Sequence, residues 1–568
     1  MPSAEVADVP LQTKRVWSRA LRLATVAAIL IGAVARVGVV RWTEPWDAHQ
    51  PDEHILPLEA LALWEGITPR EVGWPGSTTR LVLSVVAASQ CLRDQGRAMW
   101  EERAHPDRAL QIVSTWIGNR YVDRRPLYRM GRTISVVTGI LQLVAVVWAL
   151  SQWVGPVGTL IGTLAIALSP VTVAYSQYVL ADITGLLFGT IAMGLAARPT
   201  PRRVIAMAAL IGLAASSKFH FGLWLLTPLL CVWMGDRKLF PQKRLLSLGV
   251  FLTVAWVLVA FVPWFLIDPL LALKEFAGVV LVKIGHGSRL GGVSRNSMII
   301  FTAFGVLGWF GVFASAGGPG AHDRRRFGPI AIPLMLATAA LVLSATVFDR
   351  YAIVLLPGAV VLTGLGWDEW LGHPRPVARR VAAVALAVAL LVTTTSLVRA
   401  QRVVGEADVD VLVRNWLVEH VSPGSRIALH DEANAYLRRT QDQLRGCAEY
   451  VTTVSAYQEK WFVEGVETSA DNQRPMESMV LNDERFNAYW CRRELDKANP
   501  SGFHIVTYHA EPRFRAVLER DAVNDFRTGA HLSKGQADVL VMNRAVDVGV
   551  PPAQVFETAR GKRVIYRR

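Results

Sequence analysis

Two adjacent carboxylates, in Gln50-Pro51-Asp52-Glu53-His54, stand just past the first apolar segment of this 568-residue chain. A carboxylate held against a membrane face loses hydration, its pKa rises, and it becomes a usable general base near neutral pH. Trp46, Pro51 and His54 crowd this pair. The alternative is a pair of solvated loop acids. A second acid, Asp182, lies between Tyr175-Ser-Gln-Tyr-Val-Leu-Ala181 and an apolar run over 183–195. Facing the bilayer centre it would cost about 2.5–3.5 kcal/mol, so it must face a cavity or a partner. An interhelical ion pair that only organises packing is the competing reading.

A basic set accompanies these acids: Arg129, Arg132, Lys218, His220, Lys283, His286, Arg289, Arg295 and Arg350. Any one of them taken singly reads as a side chain snorkelling to lipid headgroups. Collectively they suit an anionic group such as a phosphate. Lys218, between Ser217 and Phe219, and Arg350, in Asp349-Arg350-Tyr351, stand out. The run Gly285-His-Gly-Ser-Arg-Leu-Gly-Gly292 lacks the Gly-Lys-Ser/Thr ending of a phosphate-binding loop.

The elements that must position these residues are membrane helices. Apolar residues make up 52% of the chain and mean hydropathy is +0.30, above ordinary soluble values. The 19 Trp fit interfacial belts. The net charge of +14 reads as cytoplasmic loops and anionic-lipid contact rather than nucleic-acid binding. The polar start, 1–19, is expected in the cytoplasm. The apolar run 21–40 follows, interrupted by Arg36 and closed by Arg41-Trp42; it reads as a retained signal anchor and first span. The loop 43–126 is then expected outside. Within it, 54–64 and 78–92 are apolar on one side and too short to span, so they are expected to lie in the interface. The charge-rich stretch 93–125 suits a solvated excursion.

Ten further spans are expected near 127–150, 155–169, 180–197, 204–217, 219–234, 245–267, 297–315, 329–347, 351–367 and 380–398, about eleven in all. Threaded from a cytoplasmic N-terminus, four of the five inside connections are basic; the one around Gln152–Pro156 is uncharged. That agreement orients the chain. It puts Asp52, Glu53, Asp182 and the basic set on one outer side, in the plasma or inner membrane. Residues 401–568 shift in composition. A helix over 411–420 and strands over 425–430, 503–508, 539–542 and 562–566 predict a small extracytoplasmic α/β domain after a transmembrane domain of 20–400. Cys447 and Cys491 fall in that domain, where a disulfide and two free thiols are equally open readings. No Cys/His spacing points to a zinc site.

The order of these residues resembles the GT-C-fold glycosyltransferases, nearest to the protein O-mannosyltransferase-like and lipid A aminoarabinose transferase-like enzymes. Pro51-Asp52-Glu53 followed by Leu58-Glu-Ala-Leu-Ala-Leu-Trp-Glu-Gly66 is similar to their first outer loop. Arg132-Thr-Ile-Ser135 resembles their Arg-x-x-Ser, Tyr178–Asp182 their second acidic site, and Ser217-Lys218-Phe219 their Ser/Thr-Lys-Tyr-like element. Asp349-Arg350-Tyr351 before Leu355-Leu356-Pro357 resembles their late Arg-Tyr. The chain departs at His54-Ile-Leu, where the family often has Tyr-Ala, and in its longer, more charged 93–125.

The resemblance implies transfer of a sugar from a polyprenyl-phosphate donor to an acceptor hydroxyl of a glycan, lipid or protein, with inversion. Asp52 would be the base. Arg132, Lys218 and Arg350 would stabilise the leaving phosphate, with His220, Tyr351, Lys283 and His286 completing the pocket. Asp182 would orient the acceptor or tune Asp52, and Glu53 would hold the loop. No cofactor is assigned; a divalent metal near Asp52, Asp182 and His54 stays open, though oxygen-rich sites need more ligands than these. A transporter or flippase of lipid-linked sugars is the competing class. It would be expected to show two related halves, which the sequence lacks, and would not need so long a first loop. A structural partner in an envelope assembly is a third reading.

Overall fold

The protein was analysed as a computed structural model. The structure describes residues 18–38, 77–122, 125–262, 290–317, 324–344, 349–405, 409–422, 425–429, 504–507, 539–542, 552–558 and 561–567, with a few single positions between them. The chain divides into two compact units. One comprises 1–42, 48–109 and 127–400; the other comprises 43–47, 110–126 and 401–568.

The first unit is helical. Its N-terminal helix α1 is Arg19–Val37, with the Ser18 hydroxyl accepting from the Leu21 amide as a cap. Helices α2 (Ser77–Glu101) and α3 (Pro106–Val122) follow, the latter reaching into the second unit. Next come α4 (Arg125–Trp153), α5 (Pro156–Ala167), α6 (Pro170–Gln177), α7 (Asp182–Ala196) and α8 (Pro201–Ser217). Prolines open α5, α6 and α8, where a missing amide costs nothing. A 3-10 turn, Phe219–Leu225, runs into α9 (Leu226–Met234), and α10 is Lys243–Phe261. Then follow α11 (Leu290–Gly317), α12 (Arg324–Val342), a second 3-10 turn (Asp349–Leu355), α13 (Leu356–Leu371) and α14 (Pro376–Gly405).

Every one of the eleven expected spans carries a helix. By length and composition, six of the described helices can cross a bilayer alone. They are α1 and α10, the greater part of α4, α11 and α14, and α13 with all but the first residue of its preceding turn. The pair α5 and α6, bent by 54° at the break, makes a seventh if taken as one span. Shorter apolar helices cover Asp182–Ala196, Phe219–Met234 and Phe327–Val342. The chain is thus a multi-pass helical membrane protein.

Burial sorts these helices. The span ending in α13 is 94% buried, against 22% for α1, 17% for α10 and 22% for α14. The central helix is therefore wrapped by the others. The outer ones turn Leu30, Leu245, Trp256 and Leu391 outward, as lipid-facing surfaces do. Small residues bring backbones together around the centre. A side chain on Gly366 would collide with the Gly311 carbonyl, and one on Gly364 would come 3.1 Å from the Gly158 carbonyl. Helix α11 kinks at Gly305 (φ 77°), a conformation that suits glycine. There the Thr393 hydroxyl accepts from the Leu307 amide at 3.3 Å.

Within 93–125, expected as a solvated excursion, α2 continues to Glu101 and α3 begins at Pro106. Its charges belong to helix surfaces, as in the Arg97–Glu101 pair one turn apart. The connection between the spans expected at 155–169 and 180–197 is itself helical in part, as α6. Ser169, Thr172 and Ser176 are fully buried, because α6 folds back into the bundle.

In the second unit, α15 (Val409–His420) packs on a five-stranded sheet. The strands are β1 (Arg426–Leu429), β2 (His504–Thr507), β3 (Val539–Met542), β4 (Gln554–Thr558) and β5 (Gly561–Arg567), in the order β2-β1-β3-β5-β4. β1 is parallel to both β2 and β3, while β5 is antiparallel to β3 and β4. The four expected strands are present. β4 was not expected, because Gln554-Val-Phe-Glu-Thr558 carries too little apolar pattern to read as a strand. Cys447 and Cys491 lie outside the described residues.

Candidate active site

Helices α7 and α8 are consecutive and antiparallel, so the start of one lies beside the end of the other. Asp182 is the first residue of α7 and Lys218 directly follows the last residue of α8. Each charge sits at the helix end whose dipole favours it, an acid at an N-terminus and a base at a C-terminus. The Lys218 ammonium donates to Asp182 Oδ1, and both residues are buried. Asp182 therefore has the interhelical partner that its position demands.

Tyr351, 3% exposed, builds the next layer. Lys218 Nζ lies 4.8 Å from the centroid of its ring, and Arg350 Cζ lies 5.6 Å from the same ring. His220 stacks on it at 5.1 Å with an interplanar angle of 22°. The charge of Arg350 also acts on Lys218. The turn after α8 and the turn before α13, far apart in sequence, thus meet at one aromatic ring, and Lys218 joins the start of α7 to them. Glycines permit the approach. A Cβ on Gly185 would lie 2.5 Å from the Phe221 ring, and one on Gly189 would lie 2.9 Å from Pro357.

Arg132, near the start of α4, is 1% exposed and places its Cζ 5.4 Å from the Tyr128 ring centroid. The neighbouring Gly131 packs so closely on Val179 that a Cβ would meet it at 2.5 Å. This seats α4 against the segment leading into Asp182. Ser135, one turn on from Arg132, is also buried.

The first turn of α2 completes the surroundings. The hydroxyls of Thr78 and Ser216 share a hydrogen bond of 2.6 Å, and the Thr79 hydroxyl donates to the Thr184 hydroxyl at 2.9 Å. Ser216 lies two residues before Lys218, and Thr184 two residues after Asp182. The foot of α2 therefore straddles the two arms that carry the ion pair. Ser77, Thr78, Thr79 and Arg80 are all buried. The sequence reading gave 78–92 only an interfacial role. The signal available was the cluster of hydroxyls just ahead of an amphipathic run.

The basic set splits. Arg132, Lys218 and Arg350 are buried, whereas Arg129 and Arg295 are exposed, which fits snorkelling for the latter two. Among the described residues Arg80, Arg132, Lys218 and Arg350 are buried cations, and Asp182 is a buried carboxylate. Asp52, Glu53, Lys283, His286 and Arg289 lie outside the described residues. Among the described residues there is no group of three or more His, Cys, Asp or Glu able to hold a metal. Asp52 and His54, two of the three groups considered for one, are not among them.

No protein-family model and no curated protein matches the chain. Several solved structures are similar to it. One is the apo Archaeoglobus fulgidus oligosaccharyltransferase, at 12% identity and a TM-score of 0.45, over 71% of this chain and 58% of that one. The chain thus spans a little over half of that protein's length. Another is ArnT from Cupriavidus metallidurans bound to undecaprenyl phosphate, at 13% identity and a TM-score of 0.49, over 96% of this chain and 97% of that one. ArnT in the apo state aligns at 15% identity and a TM-score of 0.42, over 77% of this chain and 83% of that one.

Proposed function

We propose that the chain is an integral-membrane glycosyltransferase that moves a sugar from a polyprenyl-phosphate donor to an acceptor hydroxyl, with inversion, on the extracytoplasmic side. The observation that carries this reading is the meeting of Asp182, Lys218, His220, Arg350 and Tyr351 at one end of an apolar helical bundle. The order of motifs along the sequence supports it independently.

In this reading the isoprenoid tail lies along the apolar helices and the phosphate enters the cationic pocket. Asp52 takes the proton of the acceptor hydroxyl as that oxygen attacks the anomeric carbon from the face opposite the phosphate. The new carbon–oxygen bond forms while the bond to the phosphate oxygen breaks, and that oxygen leaves with the electron pair. Arg350, Arg132 and Lys218 stabilise the charge that develops on it. Asp182 fixes the Lys218 ammonium through Oδ1, which leaves Oδ2 to accept from a sugar or acceptor hydroxyl. Tyr351 holds Lys218 and Arg350 in register with its ring face. Glu53, Lys283 and His286 serve the same pocket from the outer loops.

The test is to incubate the purified full-length protein with a panel of polyprenyl-phosphate sugars and follow donor consumption by mass spectrometry. At least one donor is expected to be consumed, and Asp52→Asn is expected to abolish consumption at normal expression. A folded protein that turns over no donor would overturn the transferase in favour of a transporter. Unchanged turnover in Asp52→Asn would remove the assigned base.

A further inference from the structure

Arg36 is a full charge buried at 0% exposure inside the bundle, on a helix whose remaining surface is largely apolar. A cation in that setting persists only where the protein supplies partners. Its Nη1 donates to the Gly32 carbonyl at 2.9 Å within its own helix, and to the Ala167 carbonyl at 3.4 Å. Its Nη2 donates to the Ile166 carbonyl at 3.4 Å and the Thr172 hydroxyl at 3.2 Å. Ile166 and Ala167 end α5, and Thr172 is in the first turn of α6. Arg36 therefore spans the 54° break between these helices. It places its charge at a helix C-terminus, where the end carbonyls carry partial negative charge.

A second tie runs the other way. Gln177, the last residue of α6, donates from Nε2 to the Ala35 carbonyl at 3.0 Å. The last turn of α1 thus grips both ends of α6. Gly139 of α4 closes the seam, since a Cβ there would lie 3.1 Å from Arg36 Cδ and would also strike Ser176.

What α6 delivers is the site. Tyr178 follows Gln177 directly, and Asp182 opens the next helix. In sequence, α1 leads into the segment that carries Asp52, fourteen residues beyond Gly38. We infer that Arg36, with Gln177, is a positioning clamp that fixes the Asp182 arm against the last turn of α1. Neither residue touches substrate. This inference rests on the transferase reading for its effect on turnover, but not for its geometry.

Two measurements on the full-length protein separate those parts. Spin labels at Val37→Cys and Leu223→Cys, both on exposed positions, in a background without the natural cysteines, report α1 against the arm packed on α7. Arg36→Met and Gln177→Leu are expected to broaden that distance distribution, Gln177→Leu being the milder cut should Arg36→Met fail to fold. With a donor that the wild type consumes, both variants are expected to lose about tenfold or more in turnover while binding undecaprenyl phosphate within about twofold of wild type. Arg36→Lys is expected to recover part of the loss, since one ammonium reaches some of these acceptors. An unchanged distance distribution in both variants would overturn the clamp whatever the activity. Wild-type turnover in folded Arg36→Met would overturn its role in catalysis. A wild type that consumes no donor counts against the transferase reading alone, leaving the distance measurement to decide the clamp.

Discussion

Lys218 donates its ammonium to Asp182 across the gap between the end of α8 and the start of α7, with side chains only 10% and 5% exposed. Breaking a buried pair by removing one partner costs about 3–5 kcal/mol, because the other charge stays buried and uncompensated. Replacing both partners with apolar groups is often close to neutral. Asp182→Leu and Lys218→Met should therefore each lower the thermal unfolding temperature in detergent, while the double variant regains most of it. Sugar transfer should stay lost in all three. A double variant as unstable as the singles would mean that the pair contributes net stability, and transfer retained in any of the three would remove its role in chemistry.

Tyr351 offers its ring to Lys218, Arg350 and His220 at once. A desolvated cation–π contact contributes about 2 kcal/mol. Tyr351→Phe keeps the ring face and should stay within about 1 kcal/mol of wild type, the worth of one hydroxyl hydrogen bond. Tyr351→Leu should lose about 2 kcal/mol or more, together with turnover. Unfolding midpoints and donor consumption measured on both variants check this. Equal losses would assign the role to the hydroxyl instead of the ring.

Thr78 and Thr79 anchor the foot of α2 on Ser216 and Thr184. Each hydroxyl bond is worth about 1 kcal/mol net. The double variant Thr78→Val/Thr79→Val should loosen this helix without unfolding the bundle. Trypsin should then cut faster at Arg93 and Arg97, which are exposed on its far half. An unchanged cleavage rate with an unchanged unfolding midpoint would show that the helix is held by packing alone.

Much of this arrangement can be read from residue order. Apolar runs near twenty residues give the helices. Antiparallel succession then puts Asp182 and Lys218 at one end before any coordinates are seen. What could not be read is partner choice. Lys218 and Asp182 were assigned to different ligand groups, yet they bind each other, because each is the nearest countercharge at the mouth of a low-dielectric bundle. Burial also could not be read. Arg129 and Arg132 look alike in sequence, but they are three positions apart on α4, and one points outward while the other is closed in. Arg36 looked like a mere interruption of the first apolar run. Its role depends on Ile166, Ala167 and Thr172, more than a hundred residues away, and local periodicity carries no trace of them.

The split between buried and exposed cations gives the sharpest test of the phosphate pocket. Arg350 is 6% exposed and shares the Tyr351 ring with Lys218, whereas Arg295 is exposed near the start of α11. If Arg350 meets the phosphate, Arg350→Gln removes a charge-assisted hydrogen bond worth about 1.5–3 kcal/mol. That corresponds to about 10- to 150-fold weaker binding of undecaprenyl phosphate. Arg295→Gln should change the same affinity by less than about twofold, since a solvated headgroup contact contributes little. Arg350→Lys should recover only part of the loss, because an ammonium cannot reproduce the planar fork against a phosphate. Binding measured by titration into detergent-solubilised protein at fixed ionic strength decides it. Equal weakening in Arg350→Gln and Arg295→Gln would mean that the lipid is attracted by the general positive field and that the buried cluster is not its seat.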